Sequence, residues 1–167
     1  MSKRRRVRAA VIIIVAIVSL AIGSLAVLSI FSKRPDDLGV TDGKLRRCPG
    51  TPNCVNSQSD APPHAVRPIP FEGTAADARR QIRAALDKLP RTTIVRDDGD
   101  YIHAESRSLI VRFVDDVEIV IDADQKLIHI RSASRVGRSD LGVNRQRVET
   151  LRAEFAKLQP PSGGAST

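Results

Sequence analysis

The chain has 167 residues, of which 27 are basic and 19 acidic, giving a net charge of +8, and only 3% are aromatic. Residues 1–34 hold seven of the basic residues and none of the acidic ones, so the remaining body has a net charge of only +1. A nearly neutral body with few aromatic side chains argues against a nucleic-acid partner, because such binding depends on clustered cations and on base stacking.

The segment from Ala9 to Ser32 has 24 residues and no charge, and five cations precede it within residues 1–8. A helix of that length is about 36 Å long, and the hydrocarbon core of a bilayer is about 30 Å thick. The pattern therefore predicts a basic segment over residues 1–8 and a single transmembrane anchor over residues 9–32.

The charges beside this segment predict its direction. Lys and Arg remain on the cytoplasmic side, so we expect a single-pass protein of the inner (cytoplasmic) membrane, with the N-terminus inside and the C-terminal domain on the periplasmic side. The alternative is a cleaved signal peptide, since Ser24-Leu25-Ala26 supplies small residues. We favour the anchor because the apolar run is longer than the roughly 7–15 residues of a signal peptide.

The two cysteines, Cys48 and Cys54, are close in sequence and separated by prolines and a glycine. Outside the cytoplasm such a pair forms a disulfide, so we predict a structural bridge. A redox pair or a metal site is the alternative. The spacing is not Cys-x-x-Cys, and zinc would require two more ligands, whereas His64 is the only imidazole nearby. We therefore expect neither a metal nor a cofactor.

The region after the anchor is long enough for one domain. We expect a linker over residues 33–47, an exported α+β domain over residues 48–159, and a disordered tail over residues 160–167. The stretch from Pro35 to Phe71 is rich in proline, glycine, serine and asparagine and has no periodicity. Because it is too long for an ordinary loop, part of it is expected to be an arm held against the domain.

A helix is predicted from Thr74, where Thr74 and Asp77 can form a capping box, to Pro90. One face of it is apolar, formed by Ala78, Ile82, Ala85, Leu86 and Leu89.

Short alternating segments separated by turn signals predict five strands, with Asp98-Gly99, Arg107-Ser108, Val114–Asp116 and Asp124-Gln125 as the hairpin turns. The predicted strands are Thr92–Arg96, Tyr101–Ser106, Leu109–Val114, Val117–Asp122 and Lys126–Ser132. Their common apolar face consists of Val95, Ile102, Ala104, Leu109, Val111, Phe113, Val117, Ile119, Ile121, Ile128 and Ile130.

The last helix is predicted over Asn144–Gln159, with Asn144 as its N-cap and Pro160 after its end. The predicted fold class is therefore α+β: a five-stranded antiparallel sheet with two helices on one face, preceded by a single transmembrane helix.

The opposite face of the predicted sheet carries a polar row. The predicted register places Ile94, His103, Arg112, Glu118 and Arg131 side by side. The row is interpreted either as solvated salt bridges or as the floor of a polar site. Because several apolar residues share this face, we expect the proline-rich arm to cover it.

Five arginines fall between Arg131 and Arg147, in a loop that leads into the N-terminus of the last helix. Guanidinium groups and helix N-termini both suit anions, so the loop is a candidate anion site. The alternative is that its polar residues only shape turns and pair with nearby acids. The candidate ligand-binding residues are Arg112, Arg131, Arg135, Arg138, Asp140, Asn144 and Arg145.

Two segments, CPGTPNCVNSQ over residues 48–58 and RSASRVGRSDLGVNRQRVE over residues 131–149, resemble those of the domain of unknown function 1499 (DUF1499) family. Leu38-Gly39-Val40 also fits, and the resemblance extends to about Leu158. What the resemblance implies is a mostly envelope-associated protein without an agreed activity.

Two functions are compatible with these features. The favoured one is a non-catalytic envelope module that binds an anionic ligand, a lipid headgroup or a partner protein through the arginine-rich loop. The alternative is a hydrolase of envelope substrates, with His103 or His129 as the base near Ser139, Asp140 or Glu118. The sequence contains no recognisable set of catalytic residues.

Overall fold

A computed structural model describes residues 3–30, 32–109 and 112–160. Helix α1 spans Lys3–Ile30, and its segment Lys3–Leu25 is long and apolar enough to cross a membrane. None of that segment is buried by the rest of the chain. A membrane anchor and a signal sequence both have these properties.

The domain that follows is α+β, as predicted, with one large antiparallel sheet. A small hairpin, β1 (Val40–Thr41) and β2 (Lys44–Leu45), lies before this sheet. The remaining elements are β3 (Cys54–Asn56), β4 (Ile69–Pro70), α2 (Ala75–Leu86), β5 (Thr92–Asp98), β6 (Tyr101–Arg107), β7 (Val114–Asp122), β8 (Leu127–Ser134) and α3 (Val143–Ala156).

The large sheet has six strands rather than the predicted five. Their order is β3-β8-β7-β6-β5, and β4 also pairs with β8. The two added strands, β3 and β4, come from the proline-rich stretch, which has no strand periodicity. Because that stretch takes its pairing from β8, its extended structure depends on a partner that is distant in sequence.

The predicted strand Leu109–Val114 and the turn at Val114–Asp116 are wrong. β7 runs without interruption from Val114 to Asp122, and Arg107 pairs directly with Val114. Two consecutive aspartates resemble a turn signal, but here both remain in the strand because Asp115 binds Arg147 and Asp116 binds Arg135. Residues 110 and 111 lie outside the described residues.

The turns and the predicted apolar face also need small corrections. The first hairpin turns at residues 99–100, one residue later than predicted, and the last uses residues 123–126. Val95 is exposed because a bulge between Ile94 and Arg96 shifts the register. Leu109 is exposed and Phe113 only half-buried because both lie outside the sheet, and Val111 is not among the described residues.

Both domain helices pack on the predicted face of the sheet. Thr74 and Asp77 form the predicted capping box at the start of α2. The N-cap of α3 is Gly142 and not Asn144, which lies inside the helix and is fully buried. The core consists chiefly of Ile82, Leu86, Ile102, Ile119, Ile128, Ile130, Val148, Leu151 and Phe155.

The face of the sheet opposite the helices is covered by residues 34–53, here called the arm. Hairpin β1–β2 belongs to the arm, and the predicted disulfide joins Cys48 of the arm to Cys54 in β3. Asn56 in β3 donates a 3.0 Å hydrogen bond to the carbonyl of Arg46. Residues 34–47, expected from the sequence to belong to a linker, thus make direct contacts with the sheet. Beyond Pro160, the predicted tail is outside the described residues.

Candidate functional site

Strand alternation places a set of charged side chains on the covered face. Ile102, Ile119 and Ile130 are paired across neighbouring strands and face the helices. The residues next to them along each strand therefore point the other way, towards the arm. Five charged or titratable side chains of this face are buried: His103, Glu105, Asp116, Glu118 and Arg131.

Glu118 is the centre of the first half of this buried network. Its Oε1 atom accepts hydrogen bonds from the Tyr101 hydroxyl at 2.9 Å and from the Gly39 amide at 2.8 Å. Its Oε2 atom accepts one from Arg131 Nη1 at 2.7 Å. The predicted Glu118–Arg131 neighbour pair is confirmed, and the arm contributes directly through Gly39.

Asp116 is the centre of the second half. His103 Nε2 lies 2.7 Å from Asp116 Oδ1, and Arg135 Nη2 donates to the same oxygen at 2.6 Å. Arg135 also donates to Glu105 at 2.7 Å, and Arg34 donates to Glu105 at 2.6 Å. The predicted register is wrong at His103, whose partners across the sheet are Arg96 and Glu118 rather than Arg112. The cause is the absence of the predicted third strand.

The electrostatics favour the charged forms of Glu105, Asp116 and Arg135. Burial raises the pKa of Glu105, but hydrogen bonds from Arg34 and Arg135 outweigh burial and hold the pKa below its usual value. Burial also raises the pKa of Asp116, and there Arg135 and His103 bring it below its usual value. Burial lowers the pKa of Arg135, but its two carboxylate partners raise it overall. Tyr101 has a raised pKa because of burial and the nearby Glu118.

A cleft of about 340 Å³ opens between the arm and the C-terminal end of β8. Arg131 and Arg135 line it from the sheet, and Arg46 lines it from the arm, where it pairs with Asp37 at 2.9 Å. The Arg131 Nε atom is buried and has no hydrogen-bond partner among the described residues. A buried donor without a partner is costly, and the group that would best satisfy it is an anionic acceptor.

The structure brings two of the predicted ligand residues, Arg131 and Arg135, together at this cleft. The other arginines lie elsewhere. Arg138 is exposed in the loop after β8, and Arg112 is exposed in the loop between β6 and β7. Arg145 donates to the carbonyls of Ala65 and Pro63.

Asp140 and Asn144 organise the backbone around α3. Asp140 accepts hydrogen bonds from the amides of Gly142 at 3.1 Å and Asn144 at 2.7 Å, so its carboxylate satisfies amides at the start of α3 although Gly142 occupies the N-cap position. The Asn144 side chain donates to the Asn53 carbonyl and accepts from the Ser132 hydroxyl. These contacts agree with the structural interpretation of the two residues, since neither contact leads into the cleft.

Sequence reasoning missed three groups of the buried network: Asp116, Glu105 and Arg34. Asp116 was assigned to a turn, and Arg34 was interpreted only as a cation beside the membrane segment. A signal for Glu105 and Asp116 was present, because both continue the alternation of polar residues in β6 and β7. No local pattern pointed to Arg34, whose partner is 71 residues away.

The predicted hydrolase residues do not converge in the described part of the chain. His103 binds Asp116, and His129 Nδ1 lies 3.3 Å from the hydroxyl of Ser57. Ser139 instead accepts a hydrogen bond from the amide of Leu141. Burial lowers the pKa of His129, with Asp122 opposing it. Within residues 3–30, 32–109 and 112–160, no group of three or more His, Cys, Asp or Glu side chains is arranged to hold a metal ion.

Comparison with known proteins agrees with the resemblance seen in the two motifs. The family model described as a protein of unknown function (DUF1499) matches residues 44–155. No curated protein and no solved structure matches the chain significantly. The matched region begins within hairpin β1–β2 and ends in α3, so it includes the sheet, both domain helices and most of the cleft. Because the match covers more than half of the sequence, the chain belongs to the DUF1499 family.

Proposed function

We propose that the chain is a membrane-anchored, non-catalytic binding module of the cell envelope, which holds an anionic group in the cleft between the arm and β8. The observation that carries this proposal is the Arg131 Nε donor, which is buried beside the cleft without a partner. Arg131 is already oriented by its ion pair with Glu118 through Nη1, so the Nε side of its guanidinium is held in place for a ligand.

The charge of the network supports an anion rather than a cation. Five arginines pair with four carboxylates around the covered face, which leaves one positive charge in excess. The arginines are Arg34, Arg46, Arg107, Arg131 and Arg135, and the carboxylates are Asp37, Glu105, Asp116 and Glu118. A carboxylate or a phosphate group suits guanidinium donors of this kind.

The proposed location is the periplasmic side of the inner membrane. Five cations precede the apolar segment of α1, and cations of this kind remain in the cytoplasm. The Cys48–Cys54 bridge supports an oxidising compartment for the domain. The exported domain would then meet its ligand at the membrane or in the periplasm.

The sharpest test replaces Arg131 by Lys in the full chain in detergent micelles. Lysine preserves the charge beside Glu118 but removes the Nε donor. With inorganic phosphate and acetate as probes, we expect a saturable change in the Arg131 Nε–H resonance of the wild type. We expect binding to be weakened by about tenfold or more in Arg131→Lys, which corresponds to one charge-assisted hydrogen bond.

Arg152→Lys is the matched control, because Arg152 donates to the carbonyls of Arg67 and Pro68 and does not line the cleft. It should bind both probes like the wild type. Equal affinities for wild type and Arg131→Lys, or no saturable binding of either probe, would refute an anion site at Arg131.

The hydrolase alternative has no comparable support. His103 and His129 have different polar partners, and Ser139 is bound to neither of them. A nucleophile, a base and an orienting group must lie within hydrogen-bond reach of one another.

A further inference from the structure

We propose that the end of the domain that carries Leu109 and Arg112, between β6 and β7, and the β8–α3 loop (residues 135–142) rests on the surface of the bilayer that holds α1. This proposal depends on the membrane anchor proposed above but not on the anion site in the cleft. The partner is an anionic lipid surface, and the contact combines inserted leucines with flanking cations.

The first observation is the short connection between α1 and the sheet. α1 ends at Ile30, and the side chain of Arg34 is bound to the buried Glu105 at 2.6 Å. Four residues of extended chain span at most about 14 Å, so the Cα atom of Arg34 lies within that distance of the helix end. Glu105 is therefore held near the membrane surface when α1 crosses the bilayer.

The second observation is the position of Glu105 in the sheet. β6 ends two residues later at Arg107, which pairs with Val114, the first residue of β7. The amide of Arg135, just after β8, donates to the Val114 carbonyl. Both loops consequently leave the sheet at the end where the arm is attached to Glu105.

The third observation is where the exposed apolar side chains lie. Outside α1, the two most exposed large hydrophobic residues among those described are Leu141 at 94% and Leu109 at 73%, one in each loop. Val143, the first residue of α3, is next, and the others, Val40, Val95 and Leu158, are no more than 39% exposed. Exposed leucines at one end of a domain match the apolar face of an interfacial membrane contact.

The charges of the same end complement an anionic surface. Lys33 lies between α1 and Arg34, Arg112 lies in the first loop and Arg138 lies in the second. The two loop sequences contain one carboxylate, Asp140, which is occupied in capping α3. Cations next to inserted leucines strengthen attachment to anionic headgroups.

The test uses tryptophan as a depth probe, since the chain has no native tryptophan. Full-length Leu141→Trp is placed in nanodiscs that hold one chain each and contain brominated and anionic lipids. Leu158→Trp is the matched control, because it lies beyond the other end of α3, about 21 Å along the helix axis. We expect a blue-shifted emission and quenching at least about threefold stronger for Leu141→Trp than for Leu158→Trp.

Two further variants make the result decisive. Leu109→Trp repeats the measurement in the other loop, in case Leu141→Trp fails to fold. Ile17→Trp reports on α1 itself. If Ile17→Trp is quenched while both loop variants resemble Leu158→Trp, docking of this end is refuted and the anchor stands. If Ile17→Trp is also unquenched, the anchor is refuted and docking is refuted with it.

The electrostatic part is tested in the Leu141→Trp background. Arg138→Glu should reduce the quenching by about twofold or more, because it places a negative charge against anionic headgroups. Arg80→Glu, an exposed site in α2, should leave it unchanged. Equal quenching in these two variants would overturn the role of the loop cations.

Discussion

Glu118 is a fully buried carboxylate whose two oxygens receive three hydrogen bonds from three separate parts of the chain. Strand alternation and the pairing of β7 with β8 were enough to predict its neighbour Arg131. They were not enough to predict the contacts with Gly39 and Tyr101. Gly39 belongs to the folded arm, and Tyr101 reaches Glu118 because β6 pairs directly with β7, without the third strand that was predicted between them. For Glu118, the sequence therefore predicted one of its three hydrogen-bond partners.

Replacing Glu118 by Ala is expected to lower the free energy of unfolding by about 3–5 kcal/mol, because Arg131 would remain buried without its counter-charge. Glu118→Gln should cost less, since an oxygen acceptor remains. Urea unfolding of the full chain in detergent, followed by the fluorescence of Tyr101, the only tyrosine, measures both. Glu149→Ala, which breaks an exposed pair with Arg152, is the control and should cost less than about 1 kcal/mol. Similar losses for Glu118→Ala and Glu149→Ala would contradict this view of Glu118.

The acidic groups around Arg135 predict a pH dependence. The folded-state pKa values of Glu105 and Asp116 lie below their usual values, which are about 4. Their stabilising contribution is therefore fully present above about pH 4 and is lost as the pH falls through the lower folded-state values. We expect the urea midpoint of the wild type to decrease below about pH 4.

Arg135→Met should change the shape of this pH dependence. Without Arg135, the pKa values of both carboxyl groups would rise, because the remaining partners, chiefly Arg34 at Glu105 and His103 at Asp116, would oppose burial less strongly, so acidification would remove less stability. The variant should be less stable at pH 7 and show a flatter acid limb between about pH 5 and pH 3. Parallel wild-type and variant curves over that range would argue against control of these carboxyl groups by Arg135.

At the scale of elements, α3 is fastened to the sheet by a polar contact as well as by its apolar face. Asn144 donates to Asn53 beside β3 and to the Ser134 hydroxyl at the end of β8. The sequence pattern predicted Asn144 as the N-cap of this helix because asparagine is common at that position. Its position as the second residue of α3 is decided instead by packing, since Asn144 is buried between α3 and two strands.

Asn144→Ala should reduce the free energy of unfolding by about 2–3 kcal/mol, because the buried Asn53 carbonyl and the Ser132 hydroxyl would lose a partner. The neighbouring exposed residue supplies the control, Gln146→Ala, with an expected change of less than about 0.5 kcal/mol. Urea unfolding of both variants in the same detergent provides the comparison. An Asn144→Ala midpoint equal to that of Gln146→Ala would show that this contact contributes nothing.

The β-strands show which element predictions depend on local signals. Periodicity and turn residues identified β5, β6 and β8 and the side of the sheet that receives the helices. They failed between Leu109 and Asp116, where a pair of aspartates suggested a turn. That error had a physical cause, since the ion pairs that keep Asp115 and Asp116 in β7 come from Arg147 and Arg135, which lie beyond β8.

At the scale of the whole molecule, the proposed orientation across the membrane rests on the charge asymmetry around α1. An alkaline phosphatase fused behind Thr167 should be active, whereas a green fluorescent protein fused there through the Sec route should remain dark. Replacing the five cations of residues 1–8 by glutamine should reduce the phosphatase activity, because the signal that keeps the N-terminus inside is removed. A fluorescent fusion with an inactive phosphatase would place the domain in the cytoplasm.

The sequence alone determined the apolar N-terminal helix, the cysteine bridge, the capping box of α2 and the apolar side of the sheet. Each of these depends on residues that are adjacent or regularly spaced. The tertiary structure alone decided that the arm covers the polar face, that Arg34 reaches Glu105, and that Arg131 lies at a cleft with an unpartnered donor. These features join residues tens of positions apart, and they exist only where the sheet holds β7 and β8 side by side beneath the arm.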